Sequence, residues 1–199
     1  MGLVKPRARA EEPIGTLPPD LNAADPSRRR SSAEIFSQQQ GTEPELLARL
    51  TIEDDASVRE ALFLALAQQG TEAAAEGLAV FLGDDRAEMR NGALETLRAL
   101  PERAAALLPM LRQSDDPDVR IFGLLLAADM AEADAVAWVL DLLQDEADAN
   151  VCAAAVEVLT EIGDETVLPI LDVLADRFGN EPFLRFAIEM AAGRLQAHA

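Results

Sequence analysis

The chain of 199 residues has no tyrosine, one tryptophan (Trp138), one cysteine (Cys152) and one histidine (His198). A single cysteine excludes an intrachain disulfide and any zinc site built from several thiolates, and it fits a reducing cytoplasm. The lone histidine stands second from the end, where chains fray, so no Ser–His or Cys–His chemistry is expected of it. No uninterrupted apolar run approaches the roughly 20 residues that cross a bilayer. Pro, Arg and Glu interrupt the start of the chain, where a secretory signal would carry its apolar segment. No phosphate-cradling glycine motif occurs. Cations are also scarce, with 17 Lys and Arg against 36 Asp and Glu and a net charge of -19. Such a body is repelled by phosphate backbones and anionic lipids, so nucleic acids and membranes are poor partners. Arginine is used almost to the exclusion of lysine, and alanine is abundant, a usage associated with GC-rich bacterial genomes.

What is present favours helices. Alanine and leucine dominate the apolar residues, and both are strong helix formers. The N-terminal stretch 1–40 differs from the rest. It holds six basic and five acidic residues, net +1, which leaves -20 for the remainder. Pro6, Pro13, Pro18, Pro19 and Pro26 interrupt this stretch, so 1–40 is expected as a disordered or extended tail. A short helix over 32–39, capped by Ser32 and ended by Gly41, is the exception.

From position 41 onward the chain repeats itself. The segments Asp55-Ala-Ser-Val-Arg59, Arg86-Ala-Glu-Met-Arg90, Asp116-Pro-Asp-Val-Arg120, Asp148-Ala-Asn-Val-Cys152 and Asn180-Glu-Pro-Phe-Leu-Arg185 align. Their apolar anchors Val58, Met89, Val119, Val151 and Leu184 recur at nearly constant intervals. Apolar or small residues follow at +4, +7, +8 and +11 from each anchor, which draws one stripe along a helix. Gln69 is the clear exception. Second helices are predicted between these, at 45–50, 71–82, 101–111, 135–143 and 167–174. Gly70 and Gly163 stand where helices should stop, and Pro109 and Pro169 are expected to bend theirs. Two helices per repeat cannot bury their apolar faces alone and must stack. The expected architecture is an all-α solenoid of about five two-helix repeats over 41–199.

The phrase Asp116-Pro-Asp-Val-Arg120, with Gly123 at +4 and Leu126 and Ala127 at +7 and +8, resembles the HEAT repeat, and more narrowly the short variety of phycobilin lyase subunits. The resemblance covers about 43–196 of the chain. It implies a right-handed superhelix, with the anchored helices lining a concave surface and an internal arginine pairing with turn aspartates of neighbouring repeats. It also implies an alternative to a scaffold, a bilin lyase or isomerase subunit. With no Tyr, one Trp and one terminal His, the chain has few groups to hold a tetrapyrrole. The DNA glycosylases built of such repeats need a basic concave face, which is missing.

Several residue columns could carry chemistry. Turn carboxylates (Asp54, Asp55, Asp84, Asp85, Asp115, Asp116, and Asp145 with Glu146 and Asp148) could hold a cation, but helix capping explains them and no EF-hand spacing exists, so no metal is expected. Arg59, Arg90, Arg120 and Arg185 form a second column, in which Cys152 replaces arginine. Arg28-Arg29-Arg30-Ser31-Ser32 reads as a solvated linker, a modification site or a latch onto the acidic body.

The informative feature lies opposite the stripe, at +2, +5, +6 and +9. Phe63, Leu64 and Leu94 fall there in the first two repeats, and Ile121, Leu124 and Leu125 in the third. Val156, Phe186 and Met190 follow in the last two. An exposed apolar strip marks a partner site. Core packing between repeats and docking of the tail, with Ile35 and Phe36 as plugs, are the alternatives. The expected function is a non-catalytic, cytoplasmic protein-interaction scaffold or adaptor without a cofactor, holding a helix or extended segment on its concave face.

Overall fold

The computed structural model describes residues 19–197, and among these all regular structure is helical. The anchored segments each open a helix: α3 (Ala56–Gln69), α5 (Ala87–Arg98), α7 (Pro117–Ala127), α9 (Ala149–Ile162) and α11 (Pro182–Ala197). Between them run α2 (Glu43–Ile52), α4 (Glu72–Val80), α6 (Pro101–Arg112), α8 (Glu132–Asp145) and α10 (Leu168–Arg177). Single 3-10 turns extend α4 over Phe81–Gly83 and precede α10 at Glu165–Val167.

Local chemistry sets the ends. The carboxylates of Asp55, Asp116 and Asp148 accept from the backbone N–H groups two positions on, which would otherwise have no helical partner. Gly70 ends α3 at φ 55°, in the left-handed region that glycine enters without a Cβ clash. α6 runs through Pro109 unbroken to Arg112. Pro169 lies in the first turn of α10, where a missing N–H costs nothing, and not in the helix interior as expected.

Ahead of the repeats, the structure departs from the short helix expected over 32–39. α1 (Pro26–Phe36) starts well before the predicted cap Ser32 and stops before Gln39. It packs along α3, with Ala33 fully buried and Leu21 inside the same core. The packed body therefore begins within the stretch expected as tail, while 1–18 lies outside the described residues. The reason is an alignment that the apolar stripe hides. Asp25-Pro-Ser-Arg-Arg29 stands one repeat length before Asp55-Ala-Ser-Val-Arg59, with Arg28 at the anchor position. Asp25 caps α1 just as Asp55 caps α3. α1 is thus half a repeat, seated at the end of the row.

The odd-numbered helices α1, α3, α5, α7, α9 and α11 pack each on the next in one row, and α2, α4 and α6 form a second row behind them. The odd row touches along its whole length. Predicted stripe positions face between the rows: Leu62, Leu66, Met89, Ala93, Leu97, Ala127, Ala155 and Leu159 are fully buried. Two hydrophobic clusters meet at α7, where Leu126 and Ala127 join the first, Leu124 joins the second, and Trp138 packs on both.

Candidate functional site

The nine residues expected on the open face divide sharply. Phe63, Leu94, Leu124 and Val156 are buried, all at 9% exposure or less. These occupy +5, and the expectation that +5 faces solvent is corrected here. In a single row of packed helices this position points sideways at the next helix, not outward. The Phe63 ring shows the contact, since a Cβ on Gly92 of α5 would overlap it. Gly92 is therefore the receiving surface for Phe63, a close approach that only glycine permits. At the last helix, where no described helix follows, +5 is the exposed Glu189.

The remaining five stay accessible. Leu64, Phe186 and Met190 are exposed at 56, 64 and 59%, and Ile121 and Leu125 are half-buried. They lie at +2 and +6, so the accessible apolar strip runs along the +2/+6 positions of α3, α7 and α11. Between α9 and α11 the strip deepens into a groove of about 630 Å³, lined by Ala153, Val156, Glu157, Thr160, Met190 and Arg194. On the outer row, Val80 and Met110 are also exposed and border a groove between α4 and α6. No sequence column predicted that second groove, because irregular even helices give no common register.

Arg59, Arg90 and Arg120 of the arginine column are engaged within the protein. Arg59 donates to the carbonyls of Glu53 and Asp54, Arg90 to those of Asp84 and Asp85, and Arg120 to that of Ser114. Each arginine thus ties down the turn preceding its own helix. Two residues of this kind also reach forward one repeat. Arg120 grips both carboxylate oxygens of Glu146, at 2.7 and 3.0 Å. Arg29 does the same to Glu53, at 2.8 Å on each oxygen, and caps the carbonyls of Ala23 and Ala24. The expected pairing with turn aspartates is replaced by pairing with turn glutamates. Arg29 is accordingly a latch and not a solvated linker residue, and Ser32 is buried beside it.

Glu53 is fully buried. Burial pushes its carboxyl upward, but hydrogen bonds from Arg29, Arg49 and the Asp55 N–H outweigh that and hold it at about 2. Sequence reasoning missed Glu53, and it placed Glu146 among the turn acids without its arginine partner. The available signal was their common place, five positions before an anchor.

Gln69, the break in the predicted stripe, also has a structural task. Its side-chain amide donates to the carbonyls of Phe36 and Gln39 and to Thr42 Oγ1, closing the turn after α1.

Cys152 is completely buried at the arginine position of α9. Its Sγ faces the Glu146 carbonyl at 3.8 Å, and Arg177 of α10 supplies the missing guanidinium at 3.7 Å. Burial pushes the thiol upward and outweighs the opposing pull of Arg177. The native thiol is therefore expected to resist an aromatic disulfide reagent at pH 8, reacting at least a hundredfold faster once unfolded in denaturant. Equal rates in both states would contradict the buried placement. His198 lies outside the described residues.

Among the described residues no group of three or more His, Cys, Asp or Glu is placed to hold a metal ion. No described helix is long and apolar enough to cross a membrane.

Residues 104–193, from within α6 to within α11, match the family model of HEAT repeats. Over that stretch the chain is HEAT-like. The repeats formed by α2–α5 continue the same geometry ahead of the matched stretch, with the same arginine contacts to the preceding turn. Among solved structures, the HEAT-like chain is similar to the crystal structure of an engineered protein. That likeness covers 89% of this chain and 94% of the other at 16% identity, with a TM-score of 0.35, a degree that says nothing of function. No curated protein matches the chain.

Proposed function

We propose that this HEAT-like chain is a non-catalytic scaffold or adaptor that holds a segment of a partner protein on its inner helical face. The observation that carries the reading is the exposure of Leu64, Phe186 and Met190 on a row whose +5 apolar residues are all buried. Leaving such side chains in water forgoes about 25 cal/mol for each Å² that could be buried, so a partner that covers them gains that burial. The acidic body would speed encounter with basic partners, an attraction that weakens with salt. Cytoplasmic residence belongs to the same reading and is supported by the unpaired, buried Cys152.

Affinity capture from the host lysate tests this, comparing the wild-type chain with Leu125→Asp/Phe186→Asp. A defined protein is expected to be retained by the wild type and lost with the variant, whose helicity and melting temperature should stay close to wild type. Identical captures by both chains would overturn the reading.

A further inference from the structure

The inner face carries a pattern along the row as well as across it. At +6 the successive helices α3, α5, α7, α9 and α11 present Leu64, Glu95, Leu125, Glu157 and Met190. Apolar and acidic residues alternate without exception. Burial of the +5 side chains Phe63, Leu94, Leu124 and Val156 turns the first four of these helices the same way. The +6 side chains therefore form one line and not five scattered points. Leu64, Glu95, Glu157 and Met190 are exposed, and Leu125 is half-buried. Acids outnumber the cations beside this line. Arg98 is divided between two carboxylates, 2.9 Å from Asp129 and 3.5 Å from Glu95. Arg194 lines the groove together with both Glu157 and Glu161, one guanidinium for two acids.

Packed helices lie about 8–10 Å apart, so the rungs of this line repeat at about that distance. A polyproline-type segment advances about 3.1 Å per residue with three residues per turn, so every third side chain falls on one edge, about 9 Å from the last. A β-strand places every third side chain on alternating faces and cannot follow the line. Five rungs then correspond to a thirteen-residue extended segment.

We propose that the inner face reads an extended, polyproline-like segment of a partner protein with apolar residues at every sixth position and arginine or lysine midway between them. The apolar residues sit over Leu64, Leu125 and Met190, and the cations over Glu95 and Glu157. The inference rests on the inner face being the partner surface, and it adds the form and charge of the occupant.

The test uses the full chain and a labelled thirteen-residue peptide, Leu-Pro-Ser-Arg-Pro-Ser-Leu-Pro-Ser-Arg-Pro-Ser-Leu, read by fluorescence anisotropy. A control of identical composition places its three leucines on the first three rungs and both arginines on the last two. The matched peptide should bind at least tenfold more tightly than the control. Glu95→Lys/Glu157→Lys should weaken it at least tenfold, and a peptide with glutamates for arginines should then prefer this variant to the wild type. Equal affinities for the two peptides would mean charge attraction without register and would overturn the proposal, as would an unaffected double variant. Absent peptide binding, with lysate capture still dependent on Leu125 and Phe186, would remove the extended occupant while leaving the partner surface in place. Capture unaffected by those residues would remove the partner surface itself.

Discussion

Replacing Glu53 with alanine is expected to lower stability by about 3–5 kcal/mol, the usual cost of leaving buried charges without their partner. Three donors lose their acceptor at once: Arg29, Arg49 and the Asp55 N–H. The loss should be local first, because Arg29 is the buried ionic tie of α1 to the stack, and the apolar contacts beside it, from Leu21, Ala33 and Phe36, are few. Hydrogen exchange should show α1 amides losing protection while α7–α9 keep theirs. Uniform loss along the chain would contradict this ordering.

Glu53 also sets the acid limit. An unfolded glutamate titrates at about 4.3, and the folded one is held at about 2, so the folded state prefers the carboxylate. This contribution is complete above about pH 5 and is lost as pH falls toward 2, a difference of about 3 kcal/mol. Glu53→Gln, which cannot titrate, should therefore be much less stable than wild type at pH 7 and close to it at pH 2.5. Urea melts at the two pH values measure this directly. A constant gap would remove Glu53 as the titrating group.

The second large effect separates two positions that the helical wheel treats alike. Leu124→Asp is expected to cost about 4 kcal/mol or more, because the new carboxylate would be buried without a partner between α7 and α9. Leu64→Asp, also predicted to face outward, should change stability by no more than about 0.5 kcal/mol, since Leu64 is mostly in water. Leu126→Asp, in the stripe between the rows, should resemble Leu124→Asp. Thermal melts of the three variants rank them. Equal small losses at Leu124 and Leu64 would restore the simple two-face helix.

Both predictions lie where sequence and structure part. The repeat was legible from Val58 onward because a stripe at +4, +7 and +8 is a local signal, enforced by burial between two rows. α1 escaped that reading because its anchor is Arg28 and its +4 residue is Ser32. A terminal half-repeat covers only one neighbour and needs few apolar contacts. Its signature survives in the polar positions, where Asp25, Pro26 and Arg29 cap and latch as their counterparts do at Asp116, Pro117 and Arg120.

The candidate site was legible by half, for a related reason. Periodicity shows which side of a helix faces its partner in the repeat, and it placed Leu64, Phe186 and Met190 in the open. It says nothing of neighbours in the same row, and these bury Phe63, Leu94, Leu124 and Val156. The sequence by itself therefore determined the helices, their pairing and the acid balance, all properties of short windows and composition. Only the tertiary structure decided which outward residues remain free and where α1 and Glu53 belong, because both depend on contacts between helices a whole repeat apart in the chain.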